Sequence, residues 1–428
     1  MKKVNSFLET KLAPIAVKVG TQRHLLAVRN GMLFAMPLII IGSFFLILSS
    51  LPFPNYAEWL ASHWDLGTWF NKIVNGSFGL MGLVASFGVA YNLAKSYKLD
   101  GVAPGIISLS SFLILTPEIV DKNEVSGFGY TYLGSGGLFV AIIVGIVSVE
   151  IYKIFIRKNI VIKMPETVPP EVSRSFSSLI PGFVIIAVFA IIQKVLEVSD
   201  LGNAHVLITN LLGGPLSLIG SSLLGTIVVV IITSLFWLCG IHGADVVGSV
   251  LYPIWYMNSD INRVAFQAGE AIPHIVSYPF MMNFVYMGGG GATLGLVIAI
   301  VLFGKSKQSK LMGGLTLAPG IFNINEPLMF GLPIVMNPMM FIPYILVPVM
   351  NVLICYLSMA SGLVAKAVGI NVGWTVPPII SGYLATGGHI SGSILQIIVL
   401  LLDVIVYMLF FKIYDNQLLQ EEAISEAQ

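Results

Sequence analysis

Asn325 and Glu326 stand side by side in "FNINEPLMFGLP" (residues 322–333), an amide and a carboxylate inside an apolar stretch that also carries two prolines. A charge in such surroundings is costly unless something replaces its lost water. The amide both donates and accepts hydrogen bonds, whereas the carboxylate only accepts. Together they suit a neutral polyhydroxyl ligand, whose hydroxyls do both. Glu326 has two readings: an acceptor facing a cavity, or a carboxylate in water at a loop end. His242 lies in "LCGIHGADVVG" (238–248), where a long apolar run stops between glycines that permit close backbone approach. It either caps a helix or handles a proton near the substrate. Asp245, three residues on, is its partner or itself a cap. Trp237 and Trp374 are the tryptophans of the second half nearest these groups. An indole can stack on the apolar face of a sugar ring; core or interface packing is the alternative. His274 and His389 also stand beside breaks in apolar runs.

Other chemistries find little support. No HExxH or CxxC spacing points to a metal. Cys239 and Cys355 both sit in apolar runs and give no disulfide framework. "GGGG" at 288–291 follows no strand and precedes no Walker lysine, so it reads as the opening of a tightly packed membrane helix rather than a nucleotide loop.

The elements that position these residues must lie in a membrane. The chain has 428 residues, 56% hydrophobic and 10% charged, where a soluble globular protein carries about 25% charged. It is expected to be an all-α polytopic membrane protein embedded in the lipid bilayer. The net charge of +1 says nothing about nucleic acid, but no basic patch with interleaved aromatics appears, so no nucleic-acid partner is expected. The first 28 residues hold Lys2, Lys3, Lys11, Lys18 and Arg23 and lack the pattern of a cleaved signal peptide.

Apolar runs mark spans near 31–51, 77–95, 101–117, 131–155, 178–196, 217–241, 245–258, 289–304, 338–360 and 389–413. The run 245–258 is too short or too rich in glycine and proline for a plain spanning helix, as are 311–336 and 372–388. The basic segments are the N-terminus, 95–98, 153–174 and 305–310; the loops 52–76 and 117–130 are poor in Lys and Arg. Ten crossings put all four basic segments inside, with both termini cytoplasmic. The polar, proline-broken linker 157–176 divides a scaffold half, 1–176, from a working half, 177–428, that carries nearly all the unusual polar residues. Within it, 311–336 fits a re-entrant hairpin with the Asn-Glu pair near its broken tip. The stretch 198–216 reads as an amphipathic element along the membrane surface.

Several motifs carry a resemblance. "GIHGADVVGSV" (240–250), "GGGGATLGLVIAI" (288–300) and "APGIFNINEPLMFGLPIVMNPMMFIP" (318–343) resemble the membrane permease subunit, enzyme IIC, of the bacterial sugar phosphotransferase system, in its lactose/cellobiose/diacetylchitobiose family. "VIKMPETVPPEVSRSFSSLIPGF" (161–183) and "LAPIAVKVGTQRHLLAVRNGMLFAMPL" (12–38) extend the likeness over essentially the whole chain. The resemblance implies about ten transmembrane helices, two re-entrant hairpins and a homodimer in the plasma membrane. The first half would make the dimer contact, while the second binds sugar and moves as a body. The substrate would be a β-linked disaccharide such as cellobiose or diacetylchitobiose. Its 6-hydroxyl would be phosphorylated by a separate IIB subunit bearing a phosphocysteine, supplied by IIA, HPr and enzyme I. No cofactor or metal is implied. Glu326 would hydrogen-bond the sugar and His242 lie near the reacting hydroxyl, making these two the catalytic candidates. Asn325, Glu326, His242, Trp374 and Trp237 are expected to contact the sugar. An ion-coupled transporter using Glu326 is the rival. An intramembrane hydrolase using His242 and Asp245 lacks a nucleophile.

Overall fold

Lipid offers backbone groups no hydrogen-bond partners, so apolar runs that cross it must pair their backbone internally, as helices do. The computed structural model describes residues 10, 13–49, 55–165, 167–199, 201–332, 334, 335 and 337–426. Lys2, Lys3, Lys11, Pro333 and the end of the first expected span at residue 51 lie outside them. In chain order the principal helices are α1 (Arg23–Leu33), α2 (Met36–Ser49), α3 (Leu66–Phe78), α4 (Met81–Ser96), α5 (Val102–Leu115), α6 (Leu138–Arg157) and α7 (Leu179–Glu197). They continue with α8 (Leu223–Leu238), α9 (Gly243–Gln267), α10 (Leu294–Phe303), α11 (Lys307–Ile321), α12 (Glu326–Gly331), α13 (Pro338–Ala360) and α14 (Ile390–Glu426).

Among the described residues, six helical runs are long and apolar enough to cross a bilayer: Arg23–Ser49, Leu66–Ser96, Ser135–Arg157, Pro170–Glu197, Met339–Ala360 and Ile390–Ile424. A seventh is possible if Ala204–Gly220 and Leu223–Leu238, bent by 75° from one another, count as one broken span. Helices α5 and α10 are apolar but shorter. The expectation of a purely helical chain needs one correction. Loop 117–130 holds an antiparallel pair, β1 (Glu118–Val120) and β2 (Ser126–Phe128), with Ile119 opposite Gly127. Its cause is turn chemistry: Asp121 Oδ1 accepts from the N–H groups of Asn123 and Val125, each at 2.8 Å.

The first helices pack through small residues. A side chain at Gly31 of α1 would place its Cβ 2.3 Å from the Val89 nitrogen of α4, so the two backbones touch there. Three of the basic segments meet at one end of this bundle. Glu150 of α6 accepts from the Tyr97 hydroxyl at 2.5 Å, lies 3.1 Å from His24 Nε2 and pairs with Lys153. Arg23 lies over the Tyr97 ring at 4.4 Å.

The short run 245–258 needs a second correction. It is part of α9, a continuous helix of 25 residues with Pro253 inside it. At about 1.5 Å per residue such a helix exceeds the roughly 30 Å hydrocarbon core. The apolar run is shorter than the helix because α9 carries polar residues that serve neighbouring irregular backbone. Asn262 Nδ2 donates to the carbonyls of His274 and Ala367, both at 2.8 Å, and its Oδ1 accepts from His274 N–H at 2.9 Å. Asn258 Nδ2 donates to the Val276 carbonyl at 2.8 Å. The non-helical chain around 271–278 and 364–372 thus takes its hydrogen bonds from one helix face.

The stretch 198–216 contains the helix Ala204–Ile208 and a π-turn, Thr209–Gly213. His205 ties it to α5, with Nε2 3.0 Å from Thr116 Oγ1. Within 311–332 lie the end of helix α11, a turn at 322–325 and the short helix α12, with Asn325 at the break between the two helices.

Candidate functional site

His242 is fixed by the start of α9. It occupies the N-cap, with Nδ1 3.2 Å from the Asp245 N–H and also 3.2 Å from Asp245 Oδ2. Unprotonated, Nδ1 accepts from the backbone; protonated, it donates to the carboxylate. The capping reading of His242 is thus met, and the cap leaves Nε2 turned toward Glu326. Arg29 of α1 donates to the same oxygen, Asp245 Oδ2, at 2.7 Å. His242 Nε2 lies 3.9 Å from Glu326 Oε1, so the imidazole joins the two carboxylates across the site.

Glu326 begins α12 immediately after Asn325, with Pro327 in the first turn. Its side chain is 48% exposed. The carboxylate is therefore not packed within the protein but faces the cavity. Asn325 is buried and donates Nδ2 to the Gly290 carbonyl at 2.9 Å. It braces the loop behind the site.

That loop is the four-glycine run. It makes sharp turns before α10, with Gly288, Gly289 and Gly291 all at positive φ. A Cβ on Gly290 would come 2.4 Å from Trp237 Nε1, and one on Gly291 would come 2.3 Å from the buried Tyr344 ring. Glycine is needed here because side chains already occupy the space. Replacing Gly291 with alanine combines a left-handed backbone, about 1–2 kcal/mol, with overpacking of about 1–3 kcal/mol. We expect a marked fall in thermal stability in detergent, followed by size-exclusion chromatography after heating. Gly314→Ala, at an open helical position with nothing within 4 Å, should leave the transition unchanged or raise it. Equal behaviour of the two variants would contradict the packing argument.

The residues converge on one cavity of about 320 Å³. Its walls include Trp237, His242, Asp245, Asn325, Glu326 and Trp374, and Leu33 and Met36 close it from the first half. All five expected sugar-contacting residues are therefore brought together. The two indoles differ. Trp237 is buried, its ring 4.3 Å from that of His242, whereas Trp374 is 38% exposed in the cavity wall. Asn323 positions Trp374: its Nδ2 donates to the Trp374 carbonyl at 2.6 Å, and its Oδ1 accepts from Gly288 N–H at 2.5 Å. His274 and His389 do not line this cavity.

Sequence reasoning missed Asn323, Arg29 and the tyrosine wall of Tyr252, Tyr278 and Tyr286. Asn323 is readable in the sequence as the first amide of "NIN", two residues before Asn325. Arg29 sits 216 residues from its partner, and nothing local signals that contact. A larger cavity of about 590 Å³ lies beside Thr116, Gln193 and Asn203. It contains Glu118 and Glu197 but, among the described residues, no histidine or aromatic ring. Chemistry, not size, favours the smaller one. Its volume falls in the range of small-molecule sites.

Comparison with known proteins agrees with the motifs. The family described as "Phosphotransferase system, EIIC" matches residues 29–348. The chain is 48% identical to the lichenan permease IIC component of Bacillus subtilis (strain 168), covering 99% of this chain and 96% of that one. It is 47% identical to the PTS system cellobiose-specific EIIC component of Geobacillus stearothermophilus, with 97% and 95% covered. Among solved structures it is similar to the crystal structure of the transporter ChbC, the IIC component from the N,N'-diacetylchitobiose-specific phosphotransferase system. The TM-score is 0.92 at 46% identity, over 97% of this chain and 99% of that one.

Proposed function

The chain belongs to the phosphotransferase system EIIC family, and from that premise we propose that it carries a β-linked disaccharide, of the cellobiose or diacetylchitobiose kind, across the plasma membrane for phosphorylation on the inner side. The observation that carries this reading is the convergence of Asn325, Glu326, His242 and Trp374 on one cavity. Glu326 accepts from sugar hydroxyls, Trp374 offers an apolar face, and Asn325 and Trp237 hold the backing loop. His242, placed between Asp245 and Glu326, takes the proton of the sugar 6-hydroxyl as that oxygen attacks phosphorus. The phosphoryl group leaves the cysteine thiolate of a separate IIB subunit, which IIA, HPr and enzyme I recharge. This chain's own cysteines do not fit that donor role: Cys355 is buried, and neither cysteine lines the cavity.

Ten crossings with both termini cytoplasmic remain our topological reading. It is supported by the basic segments around Tyr97 and Glu150 meeting at one end. In this reading 311–336 and 372–388 are re-entrant hairpins. The division at 176 gives a supporting half and a moving half. Hydrogen bonds that cross it include Arg29 to Asp245, Ser135 to Asp260 at 2.6 Å, and Gln267 to Asn71 at 2.9 Å. A rigid displacement of the second half would exchange these contacts. The homodimer, with its contact in the first half, rests on the family resemblance. Cross-linking in native membranes that yields only monomer would remove it.

Binding tests the site. Cellobiose or diacetylchitobiose should change the tryptophan fluorescence of the purified chain saturably, and Trp374→Ala should weaken that binding by about tenfold, roughly the stacking energy of one aromatic face. A chain that binds neither sugar in any detergent or nanodisc, while remaining folded, would refute the substrate assignment.

A further inference from the structure

Asp403 lies well inside α14, one of the apolar spans, and both it and Asn351 of α13 are 0% exposed. Asp415, twelve residues further along, accepts from Lys305 N–H at 2.8 Å near a helix end. By helix rise Asp403 is about 18 Å deeper than that end. Asn351 Nδ2 donates to Asp403 Oδ2 at 3.1 Å and to the Val285 carbonyl at 3.2 Å. None of the ion pairs formed by the described residues includes Asp403. Two atoms of this pair are left without a partner, Asp403 Oδ1 and Asn351 Oδ1.

An ionised carboxylate with a single N–H donor and no cation is among the most costly groups to bury. Two orphan oxygens on side chains already joined by one hydrogen bond have a simple remedy. A single proton on Asp403 Oδ1, donated to Asn351 Oδ1, satisfies both and closes a cyclic acid–amide pair. We infer that Asp403 is a neutral carboxylic acid bonded in this way to Asn351, and that the pair positions the glycine loop behind the sugar cavity. The second part rests on the cavity being the sugar site, as proposed above.

The positioning follows from three contacts. Asn351 holds Val285, directly before Tyr286 of the cavity wall. Tyr407, one turn beyond Asp403, donates to the Gly291 carbonyl at 2.5 Å. Gly295 of α10 packs so closely on α14 that a Cβ there would lie 2.5 Å from Asp403 Cβ. The segment 285–291, which contains Tyr286, Gly289 and Gly290 of the cavity, is thus fastened at both ends to one face made by α13 and α14. A charge that appeared and vanished at Asp403 would disturb this bracket; a permanently neutral pair would not.

The test combines a charge readout with sugar binding. Infrared difference spectra between the full-length chain and Asp403→Asn should show the carbonyl stretch of a protonated carboxylic acid, above the amide I band, unchanged from mildly acidic to mildly alkaline pH. Asparagine reproduces both the donor and the acceptor of the neutral acid, so Asp403→Asn should bind cellobiose or diacetylchitobiose within about twofold of the parent. Asn351→Leu, which orphans the acid and frees Val285, should weaken binding by about tenfold, as expected for a lost buried hydrogen bond. If that variant does not fold, Asp403→Asn and the infrared band still decide the neutral pair, and Tyr407→Phe, which frees the Gly291 end of the segment, decides the positioning: weakened sugar binding is expected and unchanged binding would overturn it. No band, a band that vanishes as pH rises, or an Asp403→Asn chain that binds sugar but cannot transport it would overturn the neutral pair. Unchanged binding in a folded Asn351→Leu chain would overturn the positioning role. Failure of the parent chain to bind either sugar would instead strike the proposed function and leave the infrared result standing.

Discussion

His242→Gln is expected to bind disaccharide within about threefold of the parent chain while its rate of sugar phosphorylation falls by about 10²–10⁴, the usual contribution of a positioned general base. Histidine is the side chain best suited to take a hydroxyl proton near neutral pH. Here it stands between the side chains of Asp245 at 3.2 Å and Glu326 at 3.9 Å, which fix the orientation of the ring for that transfer. Glutamine preserves hydrogen bonding and volume but cannot accept the proton. The cap on α9 weakens by about 1 kcal/mol, so the melting transition must be recorded beside the rate. The assay is phosphate transfer from phosphorylated IIB to cellobiose or diacetylchitobiose at saturating sugar. Retained transfer would remove the base role and leave His242 as an orienting group.

Glu326→Gln acts on a different quantity. Its carboxylate is half exposed and begins a two-turn helix, so folding depends little on it. Sugar binding should depend on it strongly. Hydrogen bonds to a charged group contribute about 1.5–3 kcal/mol, which corresponds to a loss of roughly 10- to 100-fold in affinity at constant stability. The neutral amide replaces one acceptor with a donor, so a hydroxyl that donated to Glu326 meets another donor. Calorimetric titration of both sugars into the variant checks this. Affinity within twofold of the parent would show that Glu326 faces the cavity without holding the ligand. The rival ion-coupled transporter predicts another pattern: binding retained, and uptake no longer dependent on an ion gradient.

The site was more legible than the fold. Asn325, Glu326, His242 and Trp374 were conspicuous because polar or amphipathic side chains beside Gly and Pro breaks are rare in an apolar chain. Their convergence on one cavity follows from those breaks, since irregular backbone at membrane depth has to be buried in protein or line a cavity. The helix α9 was misjudged for the converse reason. Its Asn258 and Asn262 lower the apolarity that marks a span, yet they are buried because they satisfy the loops around Val276 and His274. That requirement arises only when distant segments meet. The same holds for Arg29 and Asp245, and for Asn351 and Asp403, pairs that no local window contains. The β-hairpin after Pro117 was lost for a smaller reason: three-residue strands carry almost no periodicity, and only the Asp121 turn announced them. Composition can identify a membrane protein and its exceptional residues. It cannot say which exceptions complete each other.

The most direct test is uptake of radiolabelled cellobiose or diacetylchitobiose into vesicles that contain this chain, with and without the phosphorylated IIB subunit and its donor chain, followed by identification of the internal product. The account predicts sugar phosphate inside, formed only when the donor is present and sharply reduced by Glu326→Gln. Accumulation of unmodified sugar, driven by an ion gradient and indifferent to the donor, would contradict it.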